Sequence, residues 1–211
     1  MQYFNTLPKI VYNSPITNQK TAVVNLLSRA SIIPSIFTDP LIYYTYDVQD
    51  GDTPETVAFK YYGDVYRYWL VLFANEYFDP EWSWPLSSQQ FLPYLIKKYQ
   101  AAANTTGQAV VSYTQATPYQ YQKIITQYDT STQTTTVNTY TIDLDTYNSL
   151  PAYTNNTYQL PTGSVSVTIT KNAMSIYDYE TNLNESKRTI QLVDTQYISK
   201  MESELQELMA K

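Results

Sequence analysis

Asp50, Asp52 and Glu55 place three carboxylates within one short segment. A pair of such groups is all that acid/base chemistry of the glycoside-hydrolysis type requires. The same residues have a plainer use. Asp50 and Gly51 break a strand, Asp52 or Thr53 offers an oxygen to the first amides of a helix, and Glu55 suits the positive end of the helix dipole. That structural use is the reading preferred here. Other routes to catalysis are narrower still, because the 211 residues contain no Cys and no His. Thiolate nucleophiles, disulfides, Ser-His-Asp triads and imidazole metal sites are therefore excluded. Tyr77, Phe78, Trp82 and Trp84 lie beside Pro80 and Pro85 and read as a rigid aromatic knuckle. It suits an interface or a local core better than a sugar-stacking platform. Near the C-terminus, Glu185, Lys187 and Arg188 are candidates for an interfacial ion pair or for a solvated turn.

The composition favours contact over turnover. Tyrosine occurs 23 times and glycine 4 times in a chain that is 43% hydrophobic. Tyrosine combines an apolar ring with a polar tip and is enriched at interfaces. A net charge of -6 offers no basic field for nucleic acid. The longest apolar run, Trp69 to Ala74, is far shorter than the roughly 20 residues of a membrane-spanning helix. No basic start followed by an apolar stretch marks a secretory signal at the N-terminus.

The elements that must position these residues follow from turn and cap chemistry. Residues 1–42 read as an extended arm, since Pro8, Pro15, Pro34 and Pro40 prevent a long helix, with one strand expected within Ala22 to Ile33, or a short helix there on the spacing of Val23, Leu26 and Leu27. Tyr43 to Val48 alternates as a strand. A helix is expected from Pro54 to Tyr62, closed by Gly63, and a second from Val65 to Asn75, capped by Asp64 and apolar nearly all round. Ser87 and Gln90 have capping-box spacing for a short helix ending near Tyr99, with Pro93 kinking it or marking its start. Residues 101–172 turn to Thr, Gln, Asn, Tyr and Val and predict a β-rich insertion, with strands at Val137 to Leu144 and Ser164 to Thr170; recurrent Ile, Val and Tyr favour this over a partly disordered loop. Residues 173–211 predict a hairpin, from Ser175 to Glu180 and Arg188 to Val193, followed by a helix. Ile198, Met201, Leu205 and Leu208 form one apolar stripe on that helix, which needs cover inside the fold or on another subunit.

Tyr46-x-Val48-x-x-Gly51-Asp52-Thr53, followed by Pro54 and a later Asn75, resembles the LysM signature. LysM modules are small βααβ folds that bind N-acetylglucosamine polymers. The resemblance stops in the second half, where Asp79 to Ser87 replaces the expected final strand. That altered half resembles the small wedge subunit of contractile-phage baseplates, the wedge protein 53 family. The matching series is Asp50 to Glu55, Val57-Ala58, Tyr62 to Asp64, Tyr68-Trp69, Leu72, Asn75, Asp79-Pro80, Trp84 to Ser87 and Lys98-Tyr99. It continues at Tyr177 to Glu180 and Asn184 to Ile190.

The resemblance implies an α+β structural subunit with a LysM-like domain at residues 43–100, no catalysis and no cofactor. Its implied role is to clamp the wedge core and to join neighbouring wedges around the hub, in a tail baseplate assembled in the host cytoplasm. Expected partners are other wedge proteins and hub or tail-tube components, with no nucleic acid, membrane or metal. The candidate interface comprises Tyr77, Phe78, Trp82, Trp84, Arg188, Ile198, Met201, Leu205 and Leu208. Peptidoglycan binding remains the alternative.

Overall fold

The computed structural model describes residues 3, 6–16, 19–25, 42–77 and 79–209. It is a mixed α+β chain that divides into two compact units. One contains Met1–Ser88 with Asn184–Lys211, and the other Gln89–Leu183.

In the first unit, β1 (Lys9–Asn13) and β2 (Lys20–Val24) pair as an exposed antiparallel ribbon. Only Lys20–Val24 of the described residues contributes to the strand expected within Ala22 to Ile33, and residues 26–41 lie outside the described ones. β3 (Tyr43–Asp47) leads to α1 (Pro54–Tyr62). Pro54 opens this helix, and Gly63 closes it at φ 69°, a left-handed conformation that costs a residue with a Cβ more than glycine. Thr53 is the N-cap, and it exchanges bonds with Thr56 in both directions. A 3-10 turn, Val65–Arg67, is capped by Asp64 and runs into α2 (Tyr68–Ala74), so the expected second helix begins as a tighter coil. After α3 (Pro80–Ser83) the first segment ends.

The strand that pairs with β3 is β8 (Thr189–Val193), more than a hundred residues later in the chain. The register is antiparallel, with Tyr46 opposite Ile190 and Tyr44 opposite Leu192. This corrects the C-terminal hairpin. Ile176–Glu185 is a helix, here α7, and not a strand. Ser175 caps it, accepting from the Asp178 amide at 3.1 Å and donating to its carboxylate at 2.8 Å. Ile176, Glu180 and Asn184, four residues apart, form its buried stripe. The hairpin reading of Ser175 to Glu180 and Arg188 to Val193 missed that period.

Ile190 and Leu192 of β8 pack with Val57, Ala58 and Tyr62 of α1 and Trp69, Leu70 and Val71 of α2. Burying a side chain such as Leu70 or Leu192 completely stabilises by about 1.5–3 kcal/mol. The last helix, α8 (Ile198–Met209), adds Ile198, Leu205 and Met209 to the same core.

In the second unit, α4 (Ser88–Ala103) runs unbroken through Pro93, and α5 (Gln108–Ala116) follows. Then come β4 (Pro118–Asp129), β5 (Thr134–Ile142), α6 (Leu144–Ser149), β6 (Tyr153–Leu160) and β7 (Gly163–Ser175). The four strands form one antiparallel sheet in the order β5-β4-β7-β6. Two helices within the expected β-rich insertion are additions to that expectation. Val110, Val111 and Thr114 bury one face of α5, and the Asp143 carboxylate caps α6. Phe91, Leu95 and Ile176 are buried too, and the Phe91 ring meets Tyr177 edge-on at 5.9 Å.

Candidate interaction surface

Two of the three carboxylates singled out by their spacing, Asp50 and Asp52, are occupied by the chain itself. Asp52 accepts from the Lys60 ammonium at 2.6 Å on one oxygen. On the other it accepts from the Tyr46 hydroxyl at 2.9 Å and the Gln49 amide at 3.2 Å. One side chain thereby ties β3, the following loop and α1 together. Gly51, at φ 82°, permits the turn that brings this about. Burial works against ionisation of Asp52, but the Lys60, Tyr46 and Gln49 bonds outweigh it and hold the carboxyl below its ordinary value. Asp50 accepts from the Ser88 hydroxyl at 2.6 Å and the Ser88 amide at 2.8 Å, which also lowers its pKa. Glu55 is exposed in the first turn of α1.

The other signature residues are fasteners as well. Asn75, at the end of α2, donates to the Gln191 carbonyl and accepts from the Gln191 amide, at 2.7 and 2.8 Å. It thereby fixes α2 to the middle of β8 as a backbone segment would. Tyr62, buried in the core, accepts from the Val193 amide at 3.0 Å, and burial pushes its phenol well above the ordinary range. Val48 is buried, and its amide donates to the Arg188 carbonyl at 2.8 Å.

The aromatic knuckle divides into an inner and an outer part. Trp84 is in the core, its indole N–H donating to the Asp52 carbonyl at 2.8 Å and its ring meeting Tyr77 edge-on at 6.3 Å. Trp82, two residues earlier, is 65% exposed. Tyr77 is half-buried, and Phe78 lies outside the described residues. Similarly, Ile198 and Leu205 are buried and Met201 packs against the core, whereas Leu208 is 57% exposed. Trp84, Ile198 and Leu205 are thus withdrawn from the accessible surface, because the chain's own βααβ core needs them. Arg188 is half-buried, donating to Glu185 at 2.6 Å and to the Val48 carbonyl at 3.4 Å.

Residues near Asn184, matched to the wedge family by sequence, meet the knuckle. The Asn184 side chain accepts from the Leu86 amide at 2.7 Å and donates to the Leu86 carbonyl at 3.1 Å. Lys187 donates to the Trp82 carbonyl at 2.6 Å. Two sequence segments about a hundred residues apart are therefore held in one place beneath Trp82.

The buried Glu180 of the second unit was not anticipated as a site. It accepts from Lys98 at 2.7 Å, Tyr99 at 2.6 Å and Tyr94 at 3.2 Å, which joins α7 to α4. Its signal in the sequence was the Lys98-Tyr99 pair together with Tyr177 to Glu180, matched only as family features. Burial opposes its ionisation, and the Lys98 and Tyr99 bonds more than offset this, so its pKa is lowered. A lowered folded-state pKa contributes stability above the unfolded-state value, and that contribution is lost as pH falls through the folded value. Glu180→Gln should therefore cost about 1–2 kcal/mol at neutral pH, the modest size reflecting the 42% exposure of the Lys98 side chain. It should also reduce the loss of stability towards acid pH. Urea unfolding at neutral and acid pH checks this, and an unchanged acid slope would refute the assignment.

Among the described residues no group of three or more acidic side chains is arranged to hold a metal ion, and no helix is long and apolar enough to cross a membrane. The chain matches no curated protein. The sequence profile of the family described as base plate wedge protein 53 matches residues 8–208. That span takes in the βααβ segments, the knuckle and the whole inserted unit. The chain therefore belongs to the base plate wedge protein 53 family and is a structural component of the phage tail baseplate wedge.

Proposed function

We propose that the chain is a non-enzymatic clamp that holds the wedge core and joins neighbouring wedges around the hub. The contact surface assigned to it is Trp82, with Tyr77, Arg188 and Leu208 as further candidates. The carrying observation is the division of labour within the first unit. Its signature polar groups are used in internal bonds, while Trp82 stands 65% exposed on a base braced by Lys187 and Asn184. An exposed indole on a braced backbone suits an interface hot spot.

A LysM-type scaffold is part of this reading. Its support is the order strand, helix, helix, strand, with the closing strand supplied by Thr189–Val193 after the inserted unit. The loop after β3 and the segment after α2 are bonded to one another through Trp84 and Ser88, a link that serves clamping. Asp50 and Asp52 have lowered pKa values, whereas a glycosidase acid needs a raised one.

Trp82→Ala is expected to leave folding almost unchanged, within about 0.5 kcal/mol, as for most surface substitutions. It should weaken binding to purified wedge proteins by at least tenfold, a loss of about 1.4 kcal/mol. Pull-down and particle-incorporation assays test this. Undiminished incorporation would remove Trp82 from the contact, and sedimentation of the chain with purified cell walls would favour a glycan-binding role.

A further inference from the structure

Among the described residues, no strand pairs with either outer edge of the inserted sheet. The Thr130 amide donates to the Ser164 carbonyl at 3.0 Å, which sets the phase of the β4–β7 ladder. Backbone groups in an antiparallel ladder face one neighbour and then the other in alternation. Even-numbered β4 residues therefore bond β7, and odd-numbered ones bond β5. By the observed registers, Asn138 and Tyr140 of β5 bond inward, as do Asn156 and Tyr158 of β6. The N–H and C=O groups of Thr139 and Thr157 point outward, away from the sheet.

These edges also lack the usual protection. Native edge strands are blunted by Lys, Pro, bulges or short length. β5 has nine residues, TTTVNTYTI, and β6 has eight, YTNNTYQL; neither contains a charge or a proline. All of β5 except Ile142 is exposed, as is all of β6 except Thr154.

We propose that the β5 edge of one copy pairs head-to-tail with the β6 edge of a second copy, extending the sheet across subunits. Strand direction is one reason for this choice of occupant. β5 and β6 run in opposite senses, so a translated copy continues the antiparallel alternation with the same face outward. The edge sequences are another. Both carry Asn-Thr-Tyr, at Asn138-Thr139-Tyr140 and Asn156-Thr157-Tyr158. Setting Thr139 opposite Thr157 joins two outward-facing backbone pairs and places Asn138 against Tyr158 and Tyr140 against Asn156. Two uncharged edges also meet without local repulsion, although each chain carries a net charge of -6. Because the two surfaces differ, the contact is heterologous, and it generates a ring if the rotation closes. The inference rests on the second unit alone and is independent of Trp82.

Sedimentation velocity on the full chain tests the proposal. The wild type should associate as concentration rises. Thr139→Pro and Thr157→Pro each remove an outward amide only, so the ladders inside the chain keep their bonds. Each variant alone should be monomeric. Mixed in equal amounts, they should form a dimer and stop, since one retains a free β6 edge and the other a free β5 edge. Protection of the β4 and β7 amides in hydrogen exchange verifies that each variant is folded, and Thr139→Lys and Thr157→Lys replace them if it is not. A wild type that stays monomeric into the millimolar range would overturn the proposal. So would dimerisation of either variant alone, which signals like-with-like pairing, or a mixture that fails to associate.

Discussion

A chain that stops at Ser88 should not fold. It contains β3, α1 and α2, yet it lacks the strand that pairs with β3 and the residues Ile190, Leu192, Ile198, Leu205 and Met209, which help fill the core. Losing five buried side chains at about 1.5–3 kcal/mol each removes roughly 7.5–15 kcal/mol, as much as a domain's usual total stability of about 5–15 kcal/mol. By contrast, replacing residues 89–183 with a short Gly/Ser linker should preserve the first unit, because Leu86 and Asn184 are already joined by two hydrogen bonds, the shorter 2.7 Å. Circular dichroism and denaturant unfolding of both chains distinguish the cases. Cooperative unfolding of residues 1–88 alone would show that β8 is dispensable.

Trp84→Ala is expected to cost about 3–5 kcal/mol, the range for removing a large buried aromatic side chain. The indole fills core space beside Tyr77, and its N–H satisfies the Asp52 carbonyl at the start of α1. Trp84→Phe keeps most of the volume and loses the hydrogen bond, so about 1–3 kcal/mol should be lost. The comparison with Trp82→Ala matters most. Two tryptophans separated by one serine should give opposite results, Trp84 controlling the unfolding midpoint and Trp82 the binding of partners. Equal effects on stability would contradict the inner and outer assignment.

Those two tryptophans show where sequence reading reached its limit. Composition and proline framing marked both as aromatic anchors, but only the position of Asp52 and Tyr77 in space decides which one turns inward. Local chemistry was legible where it is self-contained. Pro54 and Gly63 bounded α1, Asp64 capped the turn after it, and Thr189–Val193 has the strand character expected within Arg188 to Val193. The strand's partner was not legible, since pairing with Tyr43–Asp47 depends on a closure that no local pattern records. The helix α7 was hidden because the reading of Ser175 to Glu180 as one arm of a hairpin stopped short of Asn184, the residue that completes its helical stripe. On α8, Ile198 and Leu205 are buried as core residues, and the core takes Met209 while Leu208 points outward. A stripe assigned to one of two possible partners thus serves the fold along most of its length.

The late position of β8 also orders events on the ribosome. When residue 88 emerges, the first unit has α1, α2 and α3 but neither its closing strand nor α8; about a hundred further residues must be made before Thr189–Val193 appears. At about 5–20 residues per second, that is a wait of roughly 5–20 s. The inserted unit is continuous in the chain and is complete first. A nascent subunit therefore completes its four-stranded sheet before Thr189–Val193 can pair with Tyr43–Asp47 and close the core of the unit that carries Trp82.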